Sequence, residues 1–263
     1  SPEFPHLGGM TRWLLALCLL AAFHSLFAQP DDEGLVAFYS FNGCDRTDHT
    51  GINPDIRMLG GVGCWCGIDQ DGLIFSGGTD YAMLDGPLNR YFSTSDLTVS
   101  FYLRVWDQNL INQVVFSTRD PERSDAGWEA IYDPVNHLVR FHLMEDSIRR
   151  FQPLEVPLDT AKWHHLTLVR DGNEVRGYHN GLLMDQIRRC RNVDISNTIP
   201  LHIGRPAGRP GPDRLPFKGM IDELRMYSTP FSDQEVRRLY EQHPVEEARW
   251  DCYSAEQPLP RGE

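Results

Sequence analysis

Short runs in which apolar and polar residues alternate occupy most of this chain. They recur between Leu35 and Tyr227 and are bounded by Gly, Pro, Asn and Asp residues. This period of two is typical of β-strands separated by turns, and the sequence shows no internal repeat of the length found in solenoids or propellers. The pattern predicts an all-β protein in which two antiparallel sheets pack as a sandwich.

The last of these runs, residues 217–227, contains one residue that does not fit an apolar face. Met220, Asp222, Leu224 and Met226 should share a face of this strand because side chains alternate. A buried carboxylate is costly unless it is paired with a cation or ligates a metal. Asp222 is therefore a candidate metal ligand.

A short helix is predicted after this strand. Ser232 and Glu235 have the spacing of a capping box, and the helical pattern continues to Tyr240. The strand, turn and helix together resemble the closing element of the LamG-like jelly-roll family, which is part of the concanavalin A-like lectin/glucanase superfamily. In that family the aspartate that matches Asp222 commonly helps to hold a structural Ca²⁺ ion.

Six further segments resemble strands or hairpins of the same family. They are residues 35–43, 72–84, 96–105, 162–172, 178–181 and 199–206. Their order and spacing imply a two-sheet antiparallel jelly-roll sandwich with one short C-terminal helix, covering residues 29–242. Residues 107–160 show only a strand pattern, and this is the region in which the loops of the family differ most.

Residues 10–28 have the pattern of a secretory signal peptide. Arg12 precedes an apolar run that ends with a small residue, Ala28, at the expected cleavage point. Residues 1–9 lie upstream of the start methionine, Met10, and are predicted to be an added tag, and residues 243–263 are predicted to form a Pro-rich tail. We therefore expect a secreted protein in an extracellular, cell-surface or periplasmic location, without a membrane span in its mature chain.

The charge of the chain limits its partners. Its 37 acidic and 25 basic residues give a formal net charge of −12. A surface this acidic argues against nucleic acid and anionic membranes as partners. It is compatible with cation binding and with solubility alone.

Five cysteines follow the predicted signal peptide: Cys44, Cys64, Cys66, Cys190 and Cys252. Export favours disulfide bonds over free thiols. Cys64 and Cys66 are too close along a strand to bond comfortably with each other, so Cys44 is expected to pair with one of them. Cys190 and Cys252 form the second expected pair, which leaves one cysteine of the 64/66 pair over.

Oxygen-bearing residues that could hold Ca²⁺ occur near both ends of the predicted domain: Asn42, Asp45, Asp48, Asp80 and Asp222. Ca²⁺ takes about six to eight oxygen ligands from carboxylates, amides and backbone carbonyls, which loops of this composition supply. The alternative is that these side chains cap turns. The prediction is a structural rather than a catalytic Ca²⁺ ion.

Aromatic and polar residues of the divergent region and of the later hairpin are candidates for a ligand site: Trp106, Arg119, Trp128, Tyr132, Tyr178 and His179. Ligand sites are lined by aromatic side chains, and a few placed polar groups fix the orientation of the ligand. Trp128 and Tyr132 are four residues apart and face the same side of a strand, with Arg119 as their polar partner. The alternative is that these aromatic residues face the core.

The sequence lacks the motifs of hydrolytic relatives. Glucanases of this fold carry a Glu-x-Asp-x-x-Glu strand that sets two carboxylates about 5 Å apart, and neither that string nor a Gly-x-Ser-x-Gly elbow occurs here. The sequence therefore favours a non-catalytic carbohydrate-binding or adhesion module, with a glycan or an extracellular protein as partner. The alternatives are a protein-binding or structural component of a cell-surface or extracellular assembly and, as a minor one, a glycan-active hydrolase or lyase.

Overall fold

The computed structural model describes residues 33–86, 94–106, 110–122, 125–158 and 162–248. The predicted tag, the predicted signal peptide and residues 249–263 of the predicted tail lie outside the described residues. The described chain forms two antiparallel sheets that pack as a jelly-roll sandwich, as the sequence predicts. None of its helices is long and apolar enough to cross a membrane.

The first sheet, sheet A, contains eight strands in the order β13-β12-β11-β6-β16-β4-β3, with β1 also paired to β16. Their bounds are β1 Leu35–Tyr39, β3 Gly63–Cys66, β4 Asp71–Ser76, β6 Leu97–Val105, β11 Trp163–Asp171, β12 Glu174–His179, β13 Leu182–Arg188 and β16 Lys218–Tyr227. Helix α1, Asp233–Tyr240, follows β16, and Ser232 and Glu235 form the predicted capping box at its start.

The second sheet, sheet B, has the order β10-β9-β8-β7-β14-β5-β2, and β15 adds to β7 in parallel. Its bounds are β2 Arg57–Leu59, β5 Tyr81–Leu84, β7 Gln113–Ser117, β8 Gly127–Asp133, β9 Leu138–Met144, β10 Leu154–Pro157, β14 Leu201–Ile203 and β15 Leu215–Pro216. Two 3₁₀ helices, Asn42–Cys44 and Val245–Glu247, complete the described elements. The second begins within the predicted tail, and Ala248 after it is buried on the outer face of sheet A, so the domain extends beyond residue 242.

The inner faces of the two sheets meet in one continuous apolar core. The rings of Phe101 on β6 and Phe116 on β7 contact each other with their centroids 4.7 Å apart, and Phe141 on β9 lies 6.3 Å from Phe101. Burial of such side chains provides the main favourable free energy of folding. The contact also fixes which residues of each strand face outward.

The predicted last strand is present as β16, but its side chains do not alternate regularly between the two faces of sheet A along its whole length. A bulge lies between Asp222 and Arg225, and Glu223 within it has a positive φ of 51°. Leu224 faces the inter-sheet core, whereas Met220 before the bulge lies on the outer face of sheet A. The prediction that Asp222 shares a face with Leu224 is therefore wrong, because the inserted residue reverses the alternation.

Of the two predicted disulfide bonds, the structure contains the one that involves Cys44 but not the one that involves Cys190. Cys44 and Cys64 form a disulfide bond that ties the first 3₁₀ helix to β3. Cys66 is also disulfide-bonded, so neither cysteine of the 64/66 pair is left over. Cys190 has a free, exposed thiol, so the predicted bond to Cys252 is wrong. Cys252 itself lies outside the described residues.

We expect the Cys44–Cys64 bond to contribute to stability by restricting the unfolded chain. The two cysteines are 20 residues apart in the chain, and closing a loop of that size raises the free energy of unfolding by about 3 kcal/mol. Replacing both by Ala should lower the free energy of unfolding in urea by about that amount, whereas Cys190→Ala should leave it unchanged. Equal stability of the double variant and the wild-type protein would contradict the prediction.

We expect His165 to make the fold acid-sensitive. This residue is fully buried on β11, its Nε2 lies 2.7 Å from Ser100 Oγ, and burial lowers its pKa to about 3. Because the unfolded chain binds a proton near pH 6.5 and the folded chain does not, stability should fall as the pH decreases from about 6.5 towards 3. In thermal unfolding, His165→Gln should reduce this slope, and the exposed-site variant His137→Gln should not. If stability falls with pH equally steeply in His165→Gln and in the wild-type protein, His165 is not the source of the acid sensitivity.

Candidate functional site

A line of side chains crosses the outer face of sheet B. The strand registers place Met83 opposite His202, His202 opposite Ser117, Ser117 opposite Glu129, and Glu129 opposite His142. Neighbours of these residues along each strand point into the core, so this set, which we call the polar row, points outward. Five strands spaced by about 4.8 Å give the row a length of roughly 19 Å.

Glu129 lies at the centre of an ionic cluster in this row. Its side chain is only 2% exposed, and its Oε1 accepts hydrogen bonds from Arg214 and, at 2.8 Å, from Ser117 Oγ. Arg119 Nη1 lies 3.7 Å from Oε2. The two arginine side chains are 22% and 23% exposed, so they cover the carboxylate and present their remaining N–H groups to solvent.

A second ion pair lies further along β8. Asp133 contacts Arg140 on β9, and Arg140 Nε donates to Glu155 on β10 at 2.8 Å. Burial raises the pKa of Asp133, but hydrogen bonds from Asn136 and Arg140 outweigh that effect and hold the pKa below its usual range. A catalytic acid of a glycosidase needs a raised pKa. Asp133 is therefore not prepared for that role.

A cavity of about 470 Å³ opens at the His202 end of the row. It is lined by Met83, Asp120, Glu122, Ile199, Pro200, His202, Arg205, Ala207, Gly208, Arg209 and Pro210. Its volume lies within the range of small-molecule sites, about 300–1,000 Å³. Asp120 directly follows Arg119, and His202 lies opposite Ser117, so the cavity is next to the ionic cluster.

One wall of the cavity is formed by residues between 205 and 210, which belong to the segment 205–214 that we call the arginine loop. It is bounded by hydrogen bonds from Gly204 N to Val115 O and from Leu215 N to Asn112 O, both 2.8 Å long. Arg205 at its start lies over the ring of Tyr81, 4.4 Å from the centroid. Arg214 at its end contacts Glu129, so the loop is held at both ends by sheet B.

Three of the six residues predicted to bind a ligand are instead part of the interior. Trp128 is 3% exposed and lies against Phe116, with ring centroids 6.0 Å apart. Tyr132 on the same strand and Tyr178 on β12 are fully buried. Trp128 and Tyr132 do lie on the same side of β8, as predicted, but that side packs on the other sheet, which is the core-facing alternative.

The other three predicted residues lie at different places. Arg119 belongs to the ionic cluster. Trp106 is half-buried on the outer face of sheet A, beneath Arg104. His179 Nε2 lies 2.8 Å from His164 Nδ1, beside a separate cavity of about 270 Å³. Only Arg119 is therefore at the polar row.

The residues that the sequence reasoning missed are Glu129, Arg214 and His202. The outward position of Glu129 could have been predicted from the alternation of β8. Trp128, Ala130 and Tyr132 form the more apolar face of this strand, and Glu129 lies on the opposite face. Arg214 is 85 residues away from Glu129 in the chain, and no local pattern connects them.

Three of the predicted Ca²⁺ ligands are engaged by hydrogen bonds within their own turns. Asp48 accepts several from the turn that follows it. Asp45 accepts from the backbone N–H and the hydroxyl of Thr47 at 3.0 and 2.8 Å, and Asp80 accepts from the backbone N–H and the hydroxyl of Ser76. These contacts are the turn-capping alternative.

The remaining two predicted ligands meet at one loop. Asp222 is buried, and its Oδ2 accepts from Ile68 N at 2.7 Å. Burial raises its pKa well above the usual range, and the charge of Glu223 adds to this. Asn42 donates to Asp69 of the same loop at 3.2 Å. Among the residues with a described position, no three His, Cys, Asp or Glu side chains are grouped to hold a metal. The structural Ca²⁺ ion stays a prediction from the family resemblance.

The fold is a jelly-roll sandwich whose sheet B carries a polar row and a cavity on its outer face. The chain belongs to the concanavalin A-like lectin/glucanases superfamily, because residues 76–237, more than half of its length, match the Laminin_G_3 family of that superfamily. A comparison with curated protein sequences finds no match.

Several solved structures have the same fold. The binding domain of Paraclostridial Mosquitocidal Protein 1 is 18% identical over 80% of this chain and 52% of that chain, with a TM-score of 0.65. Domain 4 of AbnA, an extracellular GH43 arabinanase from Geobacillus stearothermophilus solved with arabinotriose, is 20% identical over 82% of this chain and 98% of that chain, with a TM-score of 0.57.

A third similar structure is the binding domain of botulinum neurotoxin DC. In its complex with SialylT it is 15% identical over 80% of this chain and 52% of that chain, with a TM-score of 0.64. In its complex with rat synaptotagmin II it is 16% identical over 80% and 51%, also with a TM-score of 0.64. This chain spans about half the length of the toxin binding domains that it matches.

Because Trp128 is buried, we expect its replacement to reduce the stability of the fold rather than to remove a ligand contact. Trp128→Ala should lower the free energy of unfolding by about 3–5 kcal/mol, because it removes a large side chain from the packed core. The exposed-residue variant Ile148→Ala should change it little, since Ile148 is 84% exposed. Urea unfolding of both variants checks this, and a Trp128→Ala protein as stable as the wild type would contradict the observed packing.

Proposed function

We propose that this chain is a non-catalytic binding module that takes carbohydrate on the outer face of sheet B. The observation that carries the proposal is the buried carboxylate of Glu129 holding two arginines beside a cavity. Sugar hydroxyls both donate and accept hydrogen bonds, so a site for them needs both kinds of group at fixed positions. The guanidinium groups supply donors, and Asp120 and Glu122 at the cavity supply acceptors.

Aromatic surface is also present at this site. Tyr81 is half-buried next to two residues of the cavity lining, His202 and Arg205, and its ring lies near that of His202 at a centroid distance of 5.9 Å and an interplanar angle of 15°. Arg205 lies over the same ring. A rigid aromatic residue locked by its neighbours binds with little loss of conformational entropy. Tyr81 is the residue that we expect to contact the apolar face of a sugar.

The arrangement of carboxylates supports binding rather than hydrolysis. Glu129 is covered by two arginines, and Asp133 is paired with Arg140 and has a lowered pKa. A retaining glycosidase requires one carboxyl group that is protonated near neutral pH and another that is free to attack. Neither Glu129 nor Asp133 is free to attack, because arginine holds each of them.

The similar structures support a binding role by analogy of fold. The arabinanase domain was solved with arabinotriose, and the toxin domain was solved with SialylT. We also propose that the protein is secreted, on the basis of the predicted signal peptide and of the disulfide bond.

A protein partner is the second candidate, and one feature favours it. The edge strand β13 exposes three consecutive apolar side chains, Leu182, Leu183 and Met184, which are 61%, 41% and 44% exposed. Edge strands with exposed apolar residues can pair with an added strand. The toxin domain with synaptotagmin II is an example of this fold with a protein ligand.

A glycan array with the purified chain tests the proposal. We expect selective hits, and we expect Arg214→Ala to weaken them at least about tenfold, because a hydrogen bond from a charged group is lost. The matched control is Arg188→Ala on β13, which removes the same charge from a side chain that is 74% exposed. Absence of hits, or equal binding by Arg214→Ala and the wild-type protein, would refute the proposed site.

A further inference from the structure

From the charges at the site, we infer that its ligand is an uncharged glycan, one that carries hydroxyl groups but no carboxylate or sulfate. This inference rests on the proposed function and specifies its ligand class. An anionic ligand would need arginines whose charge is not already compensated by carboxylates of the site. Four observations bear on this requirement.

The first observation is the balance of charges in the cavity. Its lining contains two acids, Asp120 and Glu122, and two arginines, Arg205 and Arg209. Arg209 Nε lies 3.7 Å from Glu122 Oε1. Arg205 is turned onto the ring of Tyr81, where the charge interacts with the π-system. An anionic ligand in this cavity would meet a carboxylate for each guanidinium.

The second observation is the compensation of the ionic cluster. Glu129 is shared between Arg119 and Arg214, and Arg119 Nη2 also lies 3.6 Å from Asp125. Two positive and two negative charges therefore lie together. A sugar carboxylate could reach only the remaining N–H groups of guanidinium groups whose charge Glu129 and Asp125 already balance, so it would gain little net attraction and would lie near two carboxylates.

The third observation concerns the two histidines of the polar row. Burial lowers the pKa of His142, and Arg214 and Arg119 lower it further although Glu129 opposes this. Burial also lowers the pKa of His202, although the hydrogen bond to the carbonyl of Pro200 raises it. Both imidazoles are therefore uncharged near neutral pH. An uncharged imidazole can donate and accept, which suits a hydroxyl group better than an anion.

The fourth observation is the charge of the whole chain. The formal net charge of −12 is a property of the whole chain, and an overall charge of this sign repels anionic glycans during their approach. Where a protein binds an acidic ligand against its own net charge, it needs a local excess of positive charge. The described site residues have no such excess.

The test compares neutral and acidic polysaccharides. Arabinan, xylan and glucomannan serve as neutral probes, and polygalacturonate and heparin as acidic ones, in affinity gel electrophoresis. We expect retardation by at least one neutral probe and by no acidic one. We also expect the same neutral affinity at about 0.01 M and about 0.1 M NaCl, since an uncharged ligand is not screened when the Debye length falls from about 30 to about 10 Å.

The outcomes separate this inference from the proposed function. Retardation by an acidic probe that weakens with salt overturns the inference and leaves a carbohydrate-binding role intact. Retardation by none of the probes, together with an empty glycan array, overturns both. Binding to neutral probes alone supports both.

A charge variant provides the second test. Asp120→Asn with Glu122→Gln leaves the cavity with two uncompensated arginines, and we expect the double variant to gain binding to polygalacturonate of at least about tenfold. The matched control, Glu155→Gln, removes a carboxylate from the same face of sheet B at a position outside the cavity and should gain nothing. If the double variant also gains nothing while retaining neutral binding, charge balance does not set the ligand class and the inference is wrong.

Discussion

The aromatic contact between the two sheets determines which residues reach the outer faces of this protein. Phe101 and Phe116 meet between the sheets, and Trp128 lies against Phe116. Since side chains alternate along a strand, an inward Trp128 turns Glu129 outward. A shift of β8 by one residue would place a carboxylate in the core and an indole in solvent, so the register is strongly fixed. The packing that holds the fold together therefore also positions the carboxylate on which the two arginines depend.

Much of the fold could be predicted because its signals are local. The limits of β16 follow from alternation within ten residues, and those of α1 from the capping box at Ser232. The facing of β16 could not be predicted in the same way. The bulge at Glu223 reverses the alternation, and nothing in the sequence of the strand itself marks an inserted residue. Asp222 consequently lies on the outer face of sheet A. There it accepts a hydrogen bond from the backbone N–H of Ile68, which is 154 positions away in the chain.

The site was predictable only in part, and for a similar reason. Arg119 was identified from its place in the divergent region, and Glu129 follows once the more apolar face of β8 is taken as the inner one. Arg214 comes from a Pro- and Gly-rich segment whose path depends on the closure between Gly204 and β15. Gly204 has a positive φ of 86°, and a Cβ atom there would lie 2.6 Å from the ring of Phe75, so this turn requires glycine. Such a requirement is visible only after the chain has folded.

The burial of Glu129 has an energetic consequence for the arginine loop. A carboxylate that is 2% exposed is strongly destabilising without a partner, so the loop must deliver Arg214 whenever sheet B is formed. The other end of the loop is held independently, by Arg205 on Tyr81. A loop fixed at both ends keeps its shape before a ligand arrives, and the ligand then does not bear the entropic cost of ordering it. In the proposed function, the ion pair at Glu129 thus acts chiefly by preorganising the wall of the cavity, and only secondarily by the charge that it presents.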